Sequence, residues 1–452
     1  MTVKTAVTRA ATTAVKVAVE AVEAFEAVNP KKARGSRQKK SLSPVEEVID
    51  QLGMRWSEKQ KQKYMKRIKV VELKRLEVPY PTDNYYMAST AAGKDQWERF
   101  SYKKPLRDKR YNHGKRREIL LLDESKLQYI IPQDESVIFR DADTKDIFMV
   151  ILRDFIPDDE LREDMIATCR QILRYRRDDR REDPGQLVHF GYTCGGRHKP
   201  TVGLAANRRY ISPKDHRELN NACQGMAGIG WNMLRSRLPQ LIIDDYNECI
   251  KSIPGCPRMD MEPTKGVKDD LFAYNVGGRD LTFNEAGDLE LPPPSGLSAV
   301  NYARFTHREN NGNEWFIAAT LLAADSPAIG GNFYNASYGI VMEAASNTVS
   351  CFKPQDYHGT TLYEIVIPDG VWNPSKPEWR IDSHERRPDG GENIGFAFEV
   401  SKGLANARRK KEQREAAKPG RGGKRIRRKV FGSEPDSDAG SDEDYYPTKR
   451  RG

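Results

Sequence analysis

His307-Arg308-Glu309 places an imidazole and a carboxylate two residues apart. In an extended chain, residues i and i+2 point to the same side. Both side chains can then reach one ion. A second imidazole, His358, follows in the segment Lys353-Pro354-Gln355-Asp356-Tyr357-His358-Gly359. Two imidazoles and one carboxylate occupy one face of a metal and leave positions open, which is the ligand set of non-haem Fe(II) sites. A bare HxE is a weak signal, because a surface His beside a Glu is commonplace. Its weight comes from its surroundings. The other histidines, His113, His189, His198, His216 and His384, show no comparable pattern.

The surroundings have a definite order. After Glu309 come the apolar run Phe316–Ala323, the pair Gly330-Gly331, the run Tyr338-Gly339-Ile340-Val341-Met342-Glu343, then Cys351-Phe352-Lys353-Pro354, then His358-Gly359-Thr360-Thr361. This order resembles the double-stranded β-helix of Fe(II)/2-oxoglutarate dioxygenases: an HxD motif, an apolar strand, a Gly-Gly turn, a strand, a Pro-containing turn and a distal His-Gly. More narrowly, His307-Arg308-Glu309 and His358-Gly359-Thr360-Thr361 resemble the motifs of the TET/JBP-like branch and its fungal relatives, which oxidise 5-methylcytosine and related bases. The resemblance spans roughly residues 185–405, with its motifs in 300–402. It implies Fe(II) held by His307, Glu309 and His358, with 2-oxoglutarate and O2 at the open positions. The cofactor and metal carry such chemistry and the protein positions them. A base in a duplex must be flipped out to reach a buried metal.

Two positions depart from the family pattern. The carboxylate is Glu309, one methylene longer than the usual Asp. The family also opens its last strand with an arginine that grips the cosubstrate's distal carboxylate, with a hydroxyl residue two positions later. Here the last strand reads Asn393-Ile394-Gly395-Phe396-Ala397-Phe398-Glu399-Val400. Asn393 stands at the arginine position and Gly395 at the hydroxyl position. Arg387, Arg386 and Arg380 lie in the preceding loop, and Arg387 is nearest to the strand. The cosubstrate residues expected are therefore Arg387 and Asn393. A second reading follows from the same departures: a catalytically degenerate fold that serves as a binding module. A third keeps the enzyme but hydroxylates a protein side chain, because fold does not decide substrate.

The elements that must position these residues divide the chain. At about 100–200 residues per domain, 452 residues suggest two or three units plus tails. Residues 1–43 read as a disordered basic tail, with six basic residues in KKARGSRQKK (31–40). Residues 44–145 read as helical or irregular. Ser43-Pro44 would cap a first helix, and a second runs from Ser57 to about Leu76. Residues 146–403 read as the dioxygenase-like domain. It holds a strand at Ile147–Leu152, helices over 158–176, 213–236 and 238–252, and a Gly-rich loop at 189–203. Short strands follow at Leu271–Val276, Phe316–Ala323, Gly339–Glu343, Thr348–Phe352, Thr361–Ile367 and Ile394–Val400. The fold expected is α+β, a double-stranded β-helix (jelly-roll) core with helices packed on one side and disordered basic termini.

Residues 404–452 read as a disordered tail, basic and then acidic. Segment 408–429 holds twelve Lys/Arg and two acids, so it alone carries the chain's net +10. The body is close to neutral, and the expected nucleic-acid contact is this tail. An import receptor is the other partner it suits. No stretch approaches the roughly 18 apolar residues of a membrane span. The six cysteines include no CxxC pair, which suits a reducing compartment. The expected location is the nucleus, with the cytoplasm second. Deleting 404–452 should shift a tagged protein to the cytoplasm and flatten the salt dependence of DNA binding. An unchanged nuclear signal would remove the localisation expectation.

Overall fold

A computed structural model describes residues 57–103, 117–180, 183–194, 202–208, 210–253, 271–276, 279–284, 290–364 and 391–416, with a few single residues between them. In chain order its elements are α1 (Glu58–Met65), β1 (Lys69–Leu73), β2 (Tyr86–Ala88), α2 (Ala91–Lys103), β3 (Ile119–Leu121), β4 (Tyr129–Ile131), β5 (Val137–Asp141) and β6 (Ile147–Arg153). Then come α3 (Asp159–Tyr175), β7 (Gln186–Thr193), β8 (Gly203–Leu204), α4 (Pro213–Arg235), α5 (Gln240–Ser252), β9 (Leu271–Val276), β10 (Arg279–Asn284) and β11 (Ser295–Val300). The last are β12 (Phe316–Leu322), β13 (Phe333–Asn335), β14 (Ile340–Met342), β15 (Thr348–Phe352), β16 (His358–Thr360), β17 (Ile394–Glu399) and α6 (Lys402–Ala416).

Two sheets carry the fold. The larger has nine strands in the order β1-β5-β6-β15-β12-β17-β11-β7-β8, and the smaller has four in the order β16-β13-β14-β4. Central strands of the larger sheet, such as β6, β15 and β17, are buried on both faces, and the two faces have different partners. Along β12, Ile317, Ala319 and Leu321 join a core with the helices. The alternate residues Phe316, Ala318 and Thr320 face a cavity. In β17, Ile394, Phe396 and Phe398 join the helix core, with Ile394 and Phe396 also reaching the cavity that Gly395 and Ala397 line. Period-2 alternation thus separates a structural face from a site face. Nearer β5 and β6, Val137, Phe139 and Ile151 pack with Ile340 and Met342 of the smaller sheet in a second core. The result is three layers: helices, large sheet, small sheet.

The helices form for local reasons. Asp158 caps α3 by accepting from Leu161 N, and Met165, Ile166, Cys169, Ile172 and Leu173 make its buried face. Ser212 caps α4 with Pro213 in the first turn. The Tyr246 hydroxyl of α5 donates to Phe398 O at 2.6 Å, tying that helix to the strand below it.

Several sequence expectations need correction. The helix expected from Ser57 ends at Met65, although its capping box with Gln60 is present. Lys69–Leu73 is a strand instead, because β-branched Val70 and Val71 pair in parallel with Ile138 and Phe139. The strand expected from Thr361 lies at His358–Thr360. Its ladder with β13 ends at the Thr360–Phe333 pair, and Thr361 O and Oγ1 then accept from Gly331 N and Asn332 N. Part of the 189–203 loop is β7, paired with β11 and β8. Helix α6 occupies the start of the segment expected to be disordered from 404, because Leu404 and Ala407 are buried. The boundary drawn at 145/146 falls in the turn between β5 and β6, which pair, and β1 and β4 share sheets with later strands. The helix expected after Ser43 lies almost wholly outside the described residues, as do 1–43 and 417–452.

Phe398 is fully buried, edge-on to Trp231 with ring centroids 5.6 Å apart. Phe398→Ala should cost about 3–5 kcal/mol of stability, read as a lowered urea midpoint. Phe316→Ala, on the cavity face and half-buried, should lower that midpoint far less. Equal losses would contradict the two-face assignment.

Candidate metal centre

Two segments distant in sequence meet as a backbone pair. His307 N donates to His358 O at 2.9 Å, and His358 N donates to His307 O at 3.0 Å. This reciprocal bridge is an antiparallel hydrogen-bonded pair. It sets the two imidazoles side by side, with ring centroids 4.4 Å apart. Glu309 is anchored by its own backbone, donating to Pro354 O at 2.8 Å. Gly359 is required next to His358, since a Cβ there would meet Tyr334 Oη at 2.3 Å. Gly330 and Gly331 have φ of +100° and +77°, so the Gly-Gly turn read from sequence also meets a backbone need.

Both histidines are oriented in the same way. His307 Nδ1 lies 2.8 Å from Phe305 O, and His358 Nδ1 lies 2.8 Å from Asp356 O. A carbonyl oxygen only accepts, so each Nδ1 carries the proton. Each Nε2 is thereby left for the site, and that of His307 lies 3.4 Å from Glu309 Oε1. One donor atom from each of His307, Glu309 and His358 lies within 4.8 Å of the others. Both imidazoles are buried and Glu309 is half-buried. A divalent cation fits this donor set: two oriented imidazole nitrogens and a carboxylate oxygen, each imidazole fixed by a hydrogen bond behind it.

The electrostatics suit a cation. Burial, followed by the neighbouring His307, pushes the His358 imidazole down to about 3, so it is neutral and able to ligate at ordinary pH. Burial pushes the Glu309 carboxyl up. The hydrogen bond with His307, the two imidazoles and the Arg304 guanidinium outweigh that and hold it well below the usual carboxylate range. Arg304 Nη1 donates to Glu309 Oε1 at 2.6 Å, and Arg180 Nη2 lies 3.9 Å from the same oxygen.

The ligands open onto a cavity of about 220 Å³ between the two sheets. Its walls are largely apolar, with Leu297, Phe316, Phe333, Met342 and Phe352 among them. Of the residues expected to hold a cosubstrate, Arg387 lies outside the described residues. Asn393 is in the cavity wall, but its amide is engaged: Oδ1 accepts from Ala324 N at 2.9 Å and Nδ2 donates to Tyr363 Oη at 3.0 Å. At Gly395 a Cβ would meet Ala319 O at 2.5 Å, so the family's hydroxyl residue does not fit there. Among the described lining residues Arg304 is the only arginine or lysine, and it is paired with Glu309 and Asp183. The described residues therefore fit a metal but offer no unengaged cation for the far carboxylate of 2-oxoglutarate.

Sequence reading missed Arg304, Asp183 and Tyr302, which surround the ligand set. The available signal was the arginine three residues before His307.

No protein-family profile matches the chain, and no curated protein matches it. Solved structures similar to it include 2OG-Fe(II) oxygenases. NgTET1 in complex with 5mC DNA is 12% identical, with a TM-score of 0.37, over 63% of this chain and 90% of that one. A prolyl-4-hydroxylase from Pseudomonas putida is 10% identical, with a TM-score of 0.26, over 56% and 92%. A 2OG-Fe(II) oxygenase family oxidoreductase from Burkholderia pseudomallei is 12% identical, with a TM-score of 0.26, over 55% and 82%.

The metal-free protein should lose stability as pH falls. His358 has a depressed pKa in the folded state, so its contribution is complete above its unfolded value near 6.5. That contribution is lost as pH drops from there toward about 3. Glu309, also depressed, adds a loss of the same sign below its ordinary value of 4.5. The urea midpoint should decline over this window, and the decline should be shallower in His358→Asn. Identical pH profiles would mean that His358 is not held neutral by the fold.

Proposed function

We propose that this protein is an Fe(II)-dependent oxygenase that uses 2-oxoglutarate and acts on a nucleobase, with 5-methylcytosine as the leading candidate. The observation that carries the reading is the backbone-paired His307 and His358 with Glu309 beside them, opening onto an apolar cavity. His307, Glu309 and His358 would hold Fe(II), which would supply activation of O2. The chain's own part is to hold the three donors, keep His358 neutral and exclude water with aromatic walls. For the cosubstrate's far carboxylate the proposed partner is Arg387, since the Asn393 amide is spent within the wall.

The nucleic-acid reading is supported by the distribution of charge. Helix α6 begins the basic segment and carries Arg408, Arg409, Lys410, Lys411 and Arg414. It follows β17 directly, and Lys402 Nζ donates to Asn310 beside the ligand Glu309 at 3.2 Å. The same segment underlies the proposed nuclear location. No helix among the described residues is long and apolar enough to cross a membrane.

A second reading is a metal-binding module that does not turn over. It is favoured by two described wall residues being engaged elsewhere, Arg304 with Glu309 and Asp183, and Asn393 with Ala324 and Tyr363.

Full-length protein with Fe(II) should release succinate from 2-oxoglutarate, and oligonucleotides containing 5-methylcytosine should stimulate the release. His307→Ala and His358→Ala should abolish it. Arg387→Ala should weaken 2-oxoglutarate binding by roughly tenfold to a hundredfold, the value of a charged hydrogen bond at about 1.5–3 kcal/mol. Metal binding without any succinate would support the module. Succinate release stimulated by a peptide and not by DNA would replace the substrate.

A further inference from the structure

Glu309 reaches its position on a longer arm than an aspartate would, and an additional methylene adds a rotatable bond. A flexible ligand must be restrained, or ordering it costs binding free energy. The restraint is built from residues outside the ligand set. Arg304 Nη1 donates to Glu309 Oε1 at 2.6 Å, and Arg304 Nε lies 3.6 Å from Asp183 Oδ2. Asp183 is buried. Its two oxygens accept from separate tyrosines, Tyr302 Oη at 2.9 Å on Oδ2 and Tyr86 Oη at 3.1 Å on Oδ1. The Arg304 backbone is fixed as well, its carbonyl accepting from Thr360 N at 3.0 Å. The chain of contacts therefore runs from two tyrosines through a carboxylate and a guanidinium to the metal-facing carboxylate.

Neither end of this chain is loose. Tyr86 lies edge-on to Phe305, with centroids 5.7 Å apart. A guanidinium is planar and presents several donors in fixed directions. It can therefore hold Asp183 and Glu309 at once, which a lysine ammonium on a flexible stem does less well.

We propose that Arg304 is the positioning residue of the metal centre. Facing Asp183, which Tyr86 and Tyr302 hold, it fixes Glu309 Oε1, the oxygen that also lies 3.4 Å from His307 Nε2. This rests on the metal centre proposed above and assigns the support of its carboxylate. Arg304 acts through Glu309 and need not touch substrate. Partners behind a ligand typically change metal affinity by about 10–100-fold, and the same scale is expected here.

The test uses full-length protein, titrated with Co(II) and followed by both affinity and the ligand-field spectrum. Arg304→Met should weaken Co(II) binding about tenfold to a hundredfold and alter the visible bands. Arg304→Lys should restore part of the affinity. In a Glu309→Asp background the shorter arm draws away from Arg304, so Arg304→Met should cost less there than in the wild type. Should Arg304→Met not fold, Asp183→Asn and Tyr302→Phe carry the same expectation with less disturbance of shape. Wild-type affinity and an unchanged spectrum in Arg304→Met, or in both substitutes, would overturn the positioning role. Failure of the wild type itself to bind Co(II) would sink the metal centre, and this role with it.

Discussion

The structure turns on two hydrogen bonds. The exchange between His307 and His358 joins a segment that precedes β12 to one that follows β15. It does so at the residues whose side chains would bind the metal. Backbone pairing fixes the Cα positions, and the carbonyls of Phe305 and Asp356 fix the rings. A metal arriving there meets imidazoles already aimed, so little conformational freedom remains to be lost. The placement also explains the depressed His358 pKa. A ring buried beside a second ring is costly to protonate.

Around that pair, the sheet gives one set of strands two duties. Alternate residues of β12, β15 and β17 serve the helix core and the cavity. The helix-facing side uses bulky residues such as Ile317, Leu321 and Phe398. The cavity-facing side of the central strands includes the small residues Ala318, Ser350, Gly395 and Ala397. Space for a ligand thus comes from side-chain size at alternate positions, not from a gap in the fold.

Much of the metal centre could be read from sequence, because its signals are local. HxE at i and i+2, the Gly-Gly turn and the distal His-Gly are each contained within a few residues. The helices were legible for the same reason, Asp158 and Ser212 announcing α3 and α4. Several strands were missed, and among them β1, β4 and β7 are defined by partners far along the chain. Lys69–Leu73 follows a lysine-rich helix and continues its polarity, and only pairing with β5 makes it a strand. The support of Glu309 was hidden likewise, since Asp183 reaches Arg304, and Tyr86 reaches Asp183, from separate parts of the chain. Asn393 was identified as a departure from the family arginine. Its internal bonds to Ala324 and Tyr363 depend on tertiary contacts that no pattern reveals.

The segment from Leu76 to Met87, to which sequence assigned no role, crosses the site. Leu76 and Tyr80 donate to Ser337 and Ala336, Asn84 donates to Thr306, Thr306 donates to Tyr85, and Leu362 donates to Met87. Arg75 pairs with Asp356. The ligand-bearing stretch is therefore held between β16 on one side and an N-terminal strap on the other. Closing loops this long comes at an entropic cost before any contact rewards it. During synthesis, the strap leaves the ribosome long before His307 and His358 exist. Apart from early contacts with residues 118–123, its backbone partners lie between Thr306 and Leu362 and emerge late. The metal centre is thus among the last features the chain completes, and a nascent protein passes through most of its production unable to hold a redox-active ion.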